Sequence, residues 1–155
     1  MALACKTVAA PPAADLYESD YYRWLLENAD RLRTGRVSEA DLDRIAEELE
    51  EMGRSERRAL GSHISVLVAH LLKWQFQSTH RSSSWRGSIH NARSSIQDLL
   101  DDSPSLRNQL APLVASKYRN ARFNAANETN LSESAFPDDC PYPLDDLLNF
   151  DFWPD

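Results

Sequence analysis

The sequence predicts an all-α protein, a helical bundle of about five helices. Apolar residues recur every three to four positions in one segment after another, which is the period of an α-helix. No run alternates apolar and polar residues over a convincing length, and the chain has only four glycines for turns. A length of 155 residues with 42% hydrophobic residues is enough for one core. Consecutive helices joined by short connections tend to lie antiparallel in such bundles.

Both ends of the chain differ in composition from the helical middle. Residues 1–14 (MALACKTVAAPPAA) contain one lysine and no long apolar run, so they lack the parts of a secretory signal and predict a flexible arm. Residues 15–155 are predicted to form a single helical domain. From about residue 131 we expect an extended strap, rich in proline and aromatic residues, with one short helix near residues 144–149. The aromatic residues expected to dock this strap on the bundle are Phe150, Phe152 and Trp153.

Two helices are predicted in the first third of the chain. The first runs from Asp15 to Gly35, and its apolar stripe consists of Tyr22, Leu25, Ala29 and Leu32. Ser38 is a suitable N-cap for the second helix, and Gly53 can end or kink it. The predicted buried face of the second helix consists of Leu42, Ile45, Leu49 and Met52.

The third and fourth predicted helices carry the most apolar faces. The third begins near Ser55, and its stripe consists of Leu60, Ile64, Leu67, Leu71 and Trp74. After the turn QSTHRSSS, the fourth helix repeats the spacing with Trp85, Ile89, Ala92, Ile96 and Leu99. Because Trp74 and Trp85 lie on the apolar stripes of neighbouring helices, we expect both in the core.

The fifth predicted helix starts at a proline. Ser103 is expected as its N-cap and Pro104 as its first residue, where the missing N–H costs nothing. Pro112 is expected to kink or restart the helix.

Charge is distributed unevenly along the chain. No acid occurs between residues 57 and 97, while the bases there are Arg57, Arg58, Lys73, Arg81, Arg86 and Arg93. After Arg122 there are eight acids and no base. The basic segment therefore predicts one of three arrangements: pairing with the acidic tail, a surface for an anionic partner, or solvated faces. The net charge of −7 and the pI near 5.1 argue against a nucleic-acid binder.

Glu48, His63 and His70 are the candidates for acid–base or metal chemistry. Carboxylates and histidines that project into a bundle build metal sites, and Glu48 is expected to face inward. A contact between Glu48 and His70 across the second and third helices is either a hydrogen-bonded pair or the site of a metal-dependent hydrolase or transferase. His63 and His70 are seven positions apart, about 10 Å along a helix, which is too far for an easily shared ion. Gly-rich phosphate loops and G-x-S-x-G are absent, and no cofactor is predicted.

Two further features concern location. Cys5 and Cys140 lie near opposite ends of the chain without a C-x-x-C pattern, which fits a reducing cytoplasm. No uncharged apolar run approaches the roughly 20 residues needed to cross a bilayer. We therefore expect a soluble cytoplasmic protein with no membrane partner.

Four motifs occur in an order typical of one family: EELEEMGRSERRAL, HLLKW, SSSW, and FPDDCPY followed by FWP. Over about residues 15–154 the chain resembles the bacterial proteins of domain-of-unknown-function family 29. The resemblance implies a small, all-helical, stand-alone bacterial protein, and it implies no established activity. Glu48, Gly53, His70, Trp74 and Trp85 lie in matching segments, but the resemblance supplies no catalytic assignment for them.

The sequence therefore favours a non-enzymatic helical interaction protein that uses a basic surface within residues 57–97. The residues predicted to bind are Lys73, Arg81, Arg86 and Arg93. The expected partner is an unidentified protein or a second copy of the chain, and nucleic acid fits the net charge less well. The alternative is the metal-dependent enzyme with a site at Glu48 and His70.

Overall fold

The computed structural model describes residues 13–155, and within this range it contains helices and no strand. The α-helices are α1 (Ala13–Ser19), α2 (Tyr21–Arg33), α3 (Glu39–Phe76), α4 (Ser83–Asp102), α5 (Leu110–Thr129) and α6 (Leu144–Leu148). Short 3-10 helices occupy Ser78–His80, Pro104–Gln109 and Glu133–Ala135. The prediction of an all-α bundle is confirmed. The arm predicted for residues 1–14, with Cys5, lies outside the described residues except for its last two positions.

Contacts within the chain divide it into two compact units, one up to Met52 and the other comprising Gly53–Asp155. Helix α3 contributes to both units, because it runs from Glu39 to Phe76 without a break. Gly53 lies inside this helix, so the prediction that it ends a helix is wrong. A glycine in a helix interior costs only about 1 kcal/mol, which is too little to stop a helix of 38 residues. The single domain over residues 15–155 stays a prediction.

In the first unit, the one helix predicted from Asp15 to Gly35 is two helices. Asp20 separates them, because its carboxylate accepts a hydrogen bond from the backbone N–H of Arg23 at 3.0 Å and caps α2. A capping carboxylate satisfies one of the N–H groups that the first turn of a helix leaves unpaired. The break at Asp20 therefore has a local cause that the apolar period does not reveal.

The loop between α2 and α3 is held by two end motifs. Gly35 adopts a φ of 66°, and the Arg36 N–H donates to the Arg31 carbonyl at 2.9 Å, as in a Schellman motif. At the start of α3, the Ser38 hydroxyl accepts a hydrogen bond from the Asp41 N–H at 3.1 Å. The predicted cap at Ser38 is therefore confirmed.

The apolar faces predicted to be buried in the first unit are largely open. Trp24 and Leu16 are buried there. In contrast, the exposed residues include Tyr22, Leu25, Leu32, Leu42, Leu49 and Met52. The prediction that these residues are buried is therefore wrong. The buried residues of α2 are Trp24 and Asn28, which lie on a different side of the helix from the predicted stripe.

The second unit has the core that the sequence predicts. The stripe of the third predicted helix is entirely buried, from Leu60 to Trp74. Ile89, Ala92 and Ile96 of α4 are buried opposite it, while Trp85 is half-buried at the edge of the same cluster. The members contributed by α5 are Leu110, Leu113, Val114, Tyr118, Ala121, Ala125 and Ala126.

The two prolines at the start of α5 have different roles. Pro104 begins the 3-10 helix Pro104–Gln109, while the Ser103 side chain makes no capping hydrogen bond. Pro112 is the third residue of α5, where its missing N–H breaks no helical hydrogen bond. The prediction that the helix restarts near Pro112 is therefore confirmed, and Pro104 begins a separate short element.

The C-terminal segment, residues 131–155, packs against the core of the second unit. Phe136, Tyr142 and Leu147 are buried, and α6 is the short helix that the sequence predicts. The ring of Trp153 lies 4.8 Å from that of Trp74, centroid to centroid. Phe150 differs from the expectation, because it is exposed and its ring lies 5.4 Å from that of the exposed His90.

Arg93 joins the C-terminal segment to α4 from inside the protein. It is 1% exposed, and its Nε donates to the Leu147 carbonyl at 2.8 Å. Its Nη2 donates to the carbonyls of Phe152 at 3.0 Å and Asp146 at 3.4 Å. Burial lowers the pKa of the Arg93 guanidinium. Three backbone carbonyls accept hydrogen bonds from it, so it has partners in the interior. Arg93 is therefore not part of an open binding surface.

Replacing Arg93 with methionine should lower the free energy of unfolding by roughly 2 to 4 kcal/mol, because methionine fills the space but leaves buried carbonyls without donors. Urea unfolding followed by circular dichroism measures this. Arg107→Met is the matched control, since Arg107 is exposed in the same unit, and it should change the value by less than about 0.5 kcal/mol. Equal stability of the two variants would contradict the role assigned to Arg93.

Candidate anion-binding site

The four residues predicted to bind a partner separate into two interior and two exposed ones. Lys73 is 4% exposed, pairs with the Glu128 carboxylate, and lies 4.7 Å from the centre of the Trp85 ring. Arg93 is also buried. Lys73 and Arg93 are therefore not part of an open surface. Arg81, just before α4, and Arg86, in its first turn, are exposed.

The acidic tail folds back on the basic helices, but mostly through its backbone. Arg81 donates to the Pro154 carbonyl at 3.3 Å, and Arg93 likewise donates to carbonyls. Glu128 supplies a carboxylate to Lys73. Carbonyl acceptors satisfy hydrogen bonds without supplying a full negative charge, and among the described residues Arg81 makes hydrogen bonds but no ion pair.

A cleft of about 540 Å³ lies where α3 ends and α4 begins, and Trp74, Arg81, Ser82, Ser83 and Arg86 line it. Arg81 helps to build this junction, because its Nε donates to the Trp74 carbonyl at 2.9 Å. That carbonyl belongs to the last turn of α3, where carbonyls have no helical partner. Arg81 thus caps one helix while it borders the cleft.

Aromatic rings position both arginines. The guanidinium carbon of Arg81 lies 5.0 Å from the centre of the Trp74 ring. That of Arg86 lies 5.8 Å from Trp74 and 5.7 Å from Trp153. Cation–π contacts at such distances are worth roughly 0.5–1 kcal/mol at exposed sites, so they restrict the guanidinium groups without using their N–H donors.

Some hydrogen-bond donors at or beside this cleft have no acceptor among the described residues. None of the described residues that line it is acidic. Within the described part of the chain, the Arg86 guanidinium makes no hydrogen bond or ion pair, and the N–H groups of Ser83 and Ser84 have no partner. Ser82 caps α4 by accepting from the Trp85 N–H at 3.2 Å, so the positive end of a 20-residue helix faces this region. The arrangement suits an anion.

Glu48 belongs to a different cluster, in the first unit. It accepts hydrogen bonds from the hydroxyls of Tyr17 at 2.5 Å and Tyr21 at 2.6 Å. These bonds lower the pKa of Glu48 and raise that of Tyr17 to about 12. Both carboxylate oxygens are thus occupied by phenols, which fixes Glu48 as an ionised hydrogen-bond acceptor that joins α1 and α2 to α3.

His70 also has a local partner. Its Nδ1–H donates to the Val66 carbonyl at 2.8 Å, one turn earlier in α3, and His63 lies half-buried on the same helix. The predicted pocket between Glu48 and His70 required a turn between two helices, and the structure has the single helix α3 there. Among residues 13–155, no three His, Cys, Asp or Glu side chains are grouped so that they could hold a metal ion.

Cys140 has the properties of a packed residue. Burial raises the pKa of its thiol, whose Sγ lies 3.8 Å from the Tyr142 carbonyl. The side chain is half-buried, and no residue of the described range 13–155 forms a disulfide bond with it. A nucleophilic thiol needs the opposite change in pKa.

Burial lowers the pKa of His70, so the unfolded chain should take up this proton more readily than the folded one. His70 then contributes stability above its unfolded pKa of about 6.5, and this contribution is lost as the pH falls through the lower folded value. Urea unfolding at pH 7.5 and pH 5 should show a larger loss for the natural chain than for His70→Gln. Parallel pH dependence in the two proteins would contradict the assignment.

Comparison with known proteins identifies a family but no function. The model of the family described as Domain of unknown function DUF29 matches residues 16–153. No curated protein and no solved structure matches the chain. Among the described residues, no helix is long and apolar enough to cross a membrane.

Sequence reasoning found Arg81 and Arg86 but missed the other parts of the cleft. The sequence pattern predicts a turn at Ser82 and Ser83, although a serine three residues before the first apolar residue of a helix is a recognisable N-cap. The contact of Trp153 with Trp74 joins residues 79 positions apart, and local periodicity contains no signal for it.

Proposed function

We propose that this chain, which belongs to the family Domain of unknown function DUF29, is a non-enzymatic interaction protein whose cleft at Arg81 and Arg86 binds a carboxylate of a partner protein. Arg86 carries the proposal, because its guanidinium is held by two tryptophan rings and retains unused donors. A planar guanidinium can bind a carboxylate through two parallel hydrogen bonds.

The electrostatics of the cleft favour an acidic group over a neutral one. Two guanidinium groups and the N-terminus of α4 border it, and the described lining residues include no carboxylate. The aromatic contacts already restrict the arginine side chains, so less conformational entropy is lost when an anion binds. A short acidic segment of a partner would therefore place one carboxylate between Arg86 and the Ser83 N–H.

A protein partner fits the site better than nucleic acid. A single-stranded nucleic-acid site combines a long basic groove with aromatic faces on which bases stack. Trp74 is only 8% exposed, and arginines and Trp153 cover its ring. The net charge of −7 also repels a polyanion over long range. Two arginines are enough for one carboxylate group.

We also propose that the protein acts in the bacterial cytoplasm. The separation of the two cysteines in the sequence, without a disulfide pattern, supports a reducing compartment.

Arg86→Glu should weaken binding of a fluorescein-labelled octaglutamate peptide at least tenfold, because it replaces the donors with a repelling carboxylate. A tenfold change corresponds to about 1.4 kcal/mol, close to the lower end of the roughly 1.5–3 kcal/mol of one hydrogen bond to a charged group. Fluorescence anisotropy at low ionic strength measures the affinity. Arg86 is the better probe than Arg81, since Arg81 also caps α3 and its loss would lower stability.

Arg107→Glu is the matched control, because it makes the same charge change on an exposed arginine outside the cleft. It should bind the peptide as the natural chain does, and both variants should retain the melting temperature within a few degrees. Equal weakening by the two substitutions would show that only net charge matters. Stronger binding of a single-stranded oligonucleotide of equal charge would favour nucleic acid instead.

A further inference from the structure

A groove of about 350 Å³ lies in the second unit, between the surface of α5 and the segment 138–144. The α5 wall includes Ala111, Ala115 and Arg119, which are four residues apart and therefore share one face of the helix. Small-molecule sites in proteins are clefts of roughly 300–1,000 Å³. The groove is near the lower end of this range, so it suits a ligand of few atoms.

Two buried tyrosines attach the walls of the groove to the core. The Tyr118 hydroxyl, from α5, donates a hydrogen bond to the Pro137 carbonyl at 2.7 Å. The Tyr142 hydroxyl, from the opposite wall, donates to the Gln75 Oε1 of α3 at 2.9 Å. Both tyrosines are buried and line the groove. A site whose walls are already held in place loses less conformational entropy when a ligand binds.

The inside of the groove offers apolar contacts. Val114 is buried and Leu144 is half-buried, and both line it. Ala111 and Ala115 end at Cβ, so the α5 wall leaves the groove open to solvent. Methylene groups of a ligand would cover these side chains, and burial of apolar surface favours binding without fixing an orientation. The orientation then depends on the charged residues at the rim.

Two opposite charges border the groove without pairing with each other. Arg119 belongs to the α5 wall and Asp139 to the other wall, and both are exposed. Among the described residues, neither of these two side chains makes a hydrogen bond or an ion pair. The neighbouring Asp138, in contrast, accepts from Arg122 at 2.9 Å. Arg119 and Asp139 are therefore available to a ligand from the two sides of the groove.

We propose that this groove binds a small zwitterion with an apolar body, such as an amino acid whose two charges lie at the ends of a short chain. Its carboxylate contacts Arg119, because a guanidinium binds a carboxylate through two parallel hydrogen bonds. Its ammonium group contacts Asp139, and its methylene groups lie against Ala115 and Leu144. A ligand with one charge would leave one of the two rim residues without a partner. The groove shares no lining residue with the cleft at Arg86, so this inference is independent of the proposed function.

The test is a titration of the ¹⁵N-labelled full chain with 6-aminohexanoate and with its two singly charged analogues, hexanoate and hexylamine. Nuclear magnetic resonance shifts of the Ala115 and Cys140 backbone N–H groups report binding in the groove. We expect 6-aminohexanoate to saturate with a dissociation constant of about 1 mM, because a ligand of few atoms makes few contacts. Each analogue should bind at least tenfold more weakly. No saturation by 6-aminohexanoate up to about 20 mM, or equal binding of an analogue, would overturn the proposal.

Two substitutions assign the charged contacts separately. Arg119→Gln should weaken binding of 6-aminohexanoate at least tenfold without weakening that of hexylamine. Asp139→Asn should weaken binding of 6-aminohexanoate by a similar factor without weakening that of hexanoate. The matched controls are Arg107→Gln and Asp151→Asn, which make the same charge changes at exposed positions outside the groove and should bind as the natural chain does. Equal losses in all four variants would mean that only net charge matters, and this would refute the proposal.

A second measurement uses the natural chain alone. The half-buried Cys140 lines the groove, so a bound ligand should shield its thiol. At about 5 mM, 6-aminohexanoate should slow alkylation of Cys140 by iodoacetamide at least threefold, and hexanoate should slow it less than twofold. Peptide mass spectrometry measures the rate at this cysteine. An alkylation rate that 6-aminohexanoate leaves unchanged would contradict binding in the groove.

Discussion

The contacts of one tryptophan determine the shape of the candidate site. Trp74, in the last turn of α3, touches the ring of Trp153 and faces the guanidinium groups of Arg81 and Arg86. Its carbonyl also accepts the Arg81 hydrogen bond. The end of α3, the start of α4 and the C-terminal segment therefore meet at this residue. Because the indole is buried, movement of any of the three elements would displace the arginines from the cleft.

The basic residues of the central segment serve opposite purposes. Lys73 and Arg93 lie in the interior, where desolvation makes a charge costly unless it is paired or hydrogen-bonded. Glu128 pairs with Lys73, and backbone carbonyls satisfy Arg93. Arg86 lies at the surface with unused donors. Lys73 and Arg93 therefore join elements inside the second unit, whereas Arg86 keeps its donors at the surface.

Much of the fold follows from the sequence, because the apolar period identifies which face of a helix is buried. The stripe from Leu60 to Trp74 shows this for α3. The same period also predicts burial of Leu49 and Met52, which the structure exposes, because a local pattern does not show whether another element covers a face. Breaks such as the one at Asp20 depend on a single capping side chain, which is easily overlooked inside an apolar pattern.

The candidate site was only partly predictable for a related reason. Charge along the sequence shows how many cations a segment has, but not which way each one points. Arg93 did offer a signal, since it lies four residues after Ile89 and three before Ile96, on the buried stripe of α4. The role of Trp153 depends on a contact between distant parts of the chain. Such contacts become visible only in three dimensions.

The central claim is that Arg86 and the N-terminus of α4 bind one carboxylate together. Nuclear magnetic resonance of the ¹⁵N-labelled full chain during titration with octaglutamate observes both groups directly. The Arg86 Nε–H and the Ser83 backbone N–H should shift together and saturate at the same peptide concentration, while the Arg107 Nε–H stays constant. Similar shifts of Arg86 and Arg107 without saturation would mean that the peptide senses only diffuse charge, and this would contradict the account.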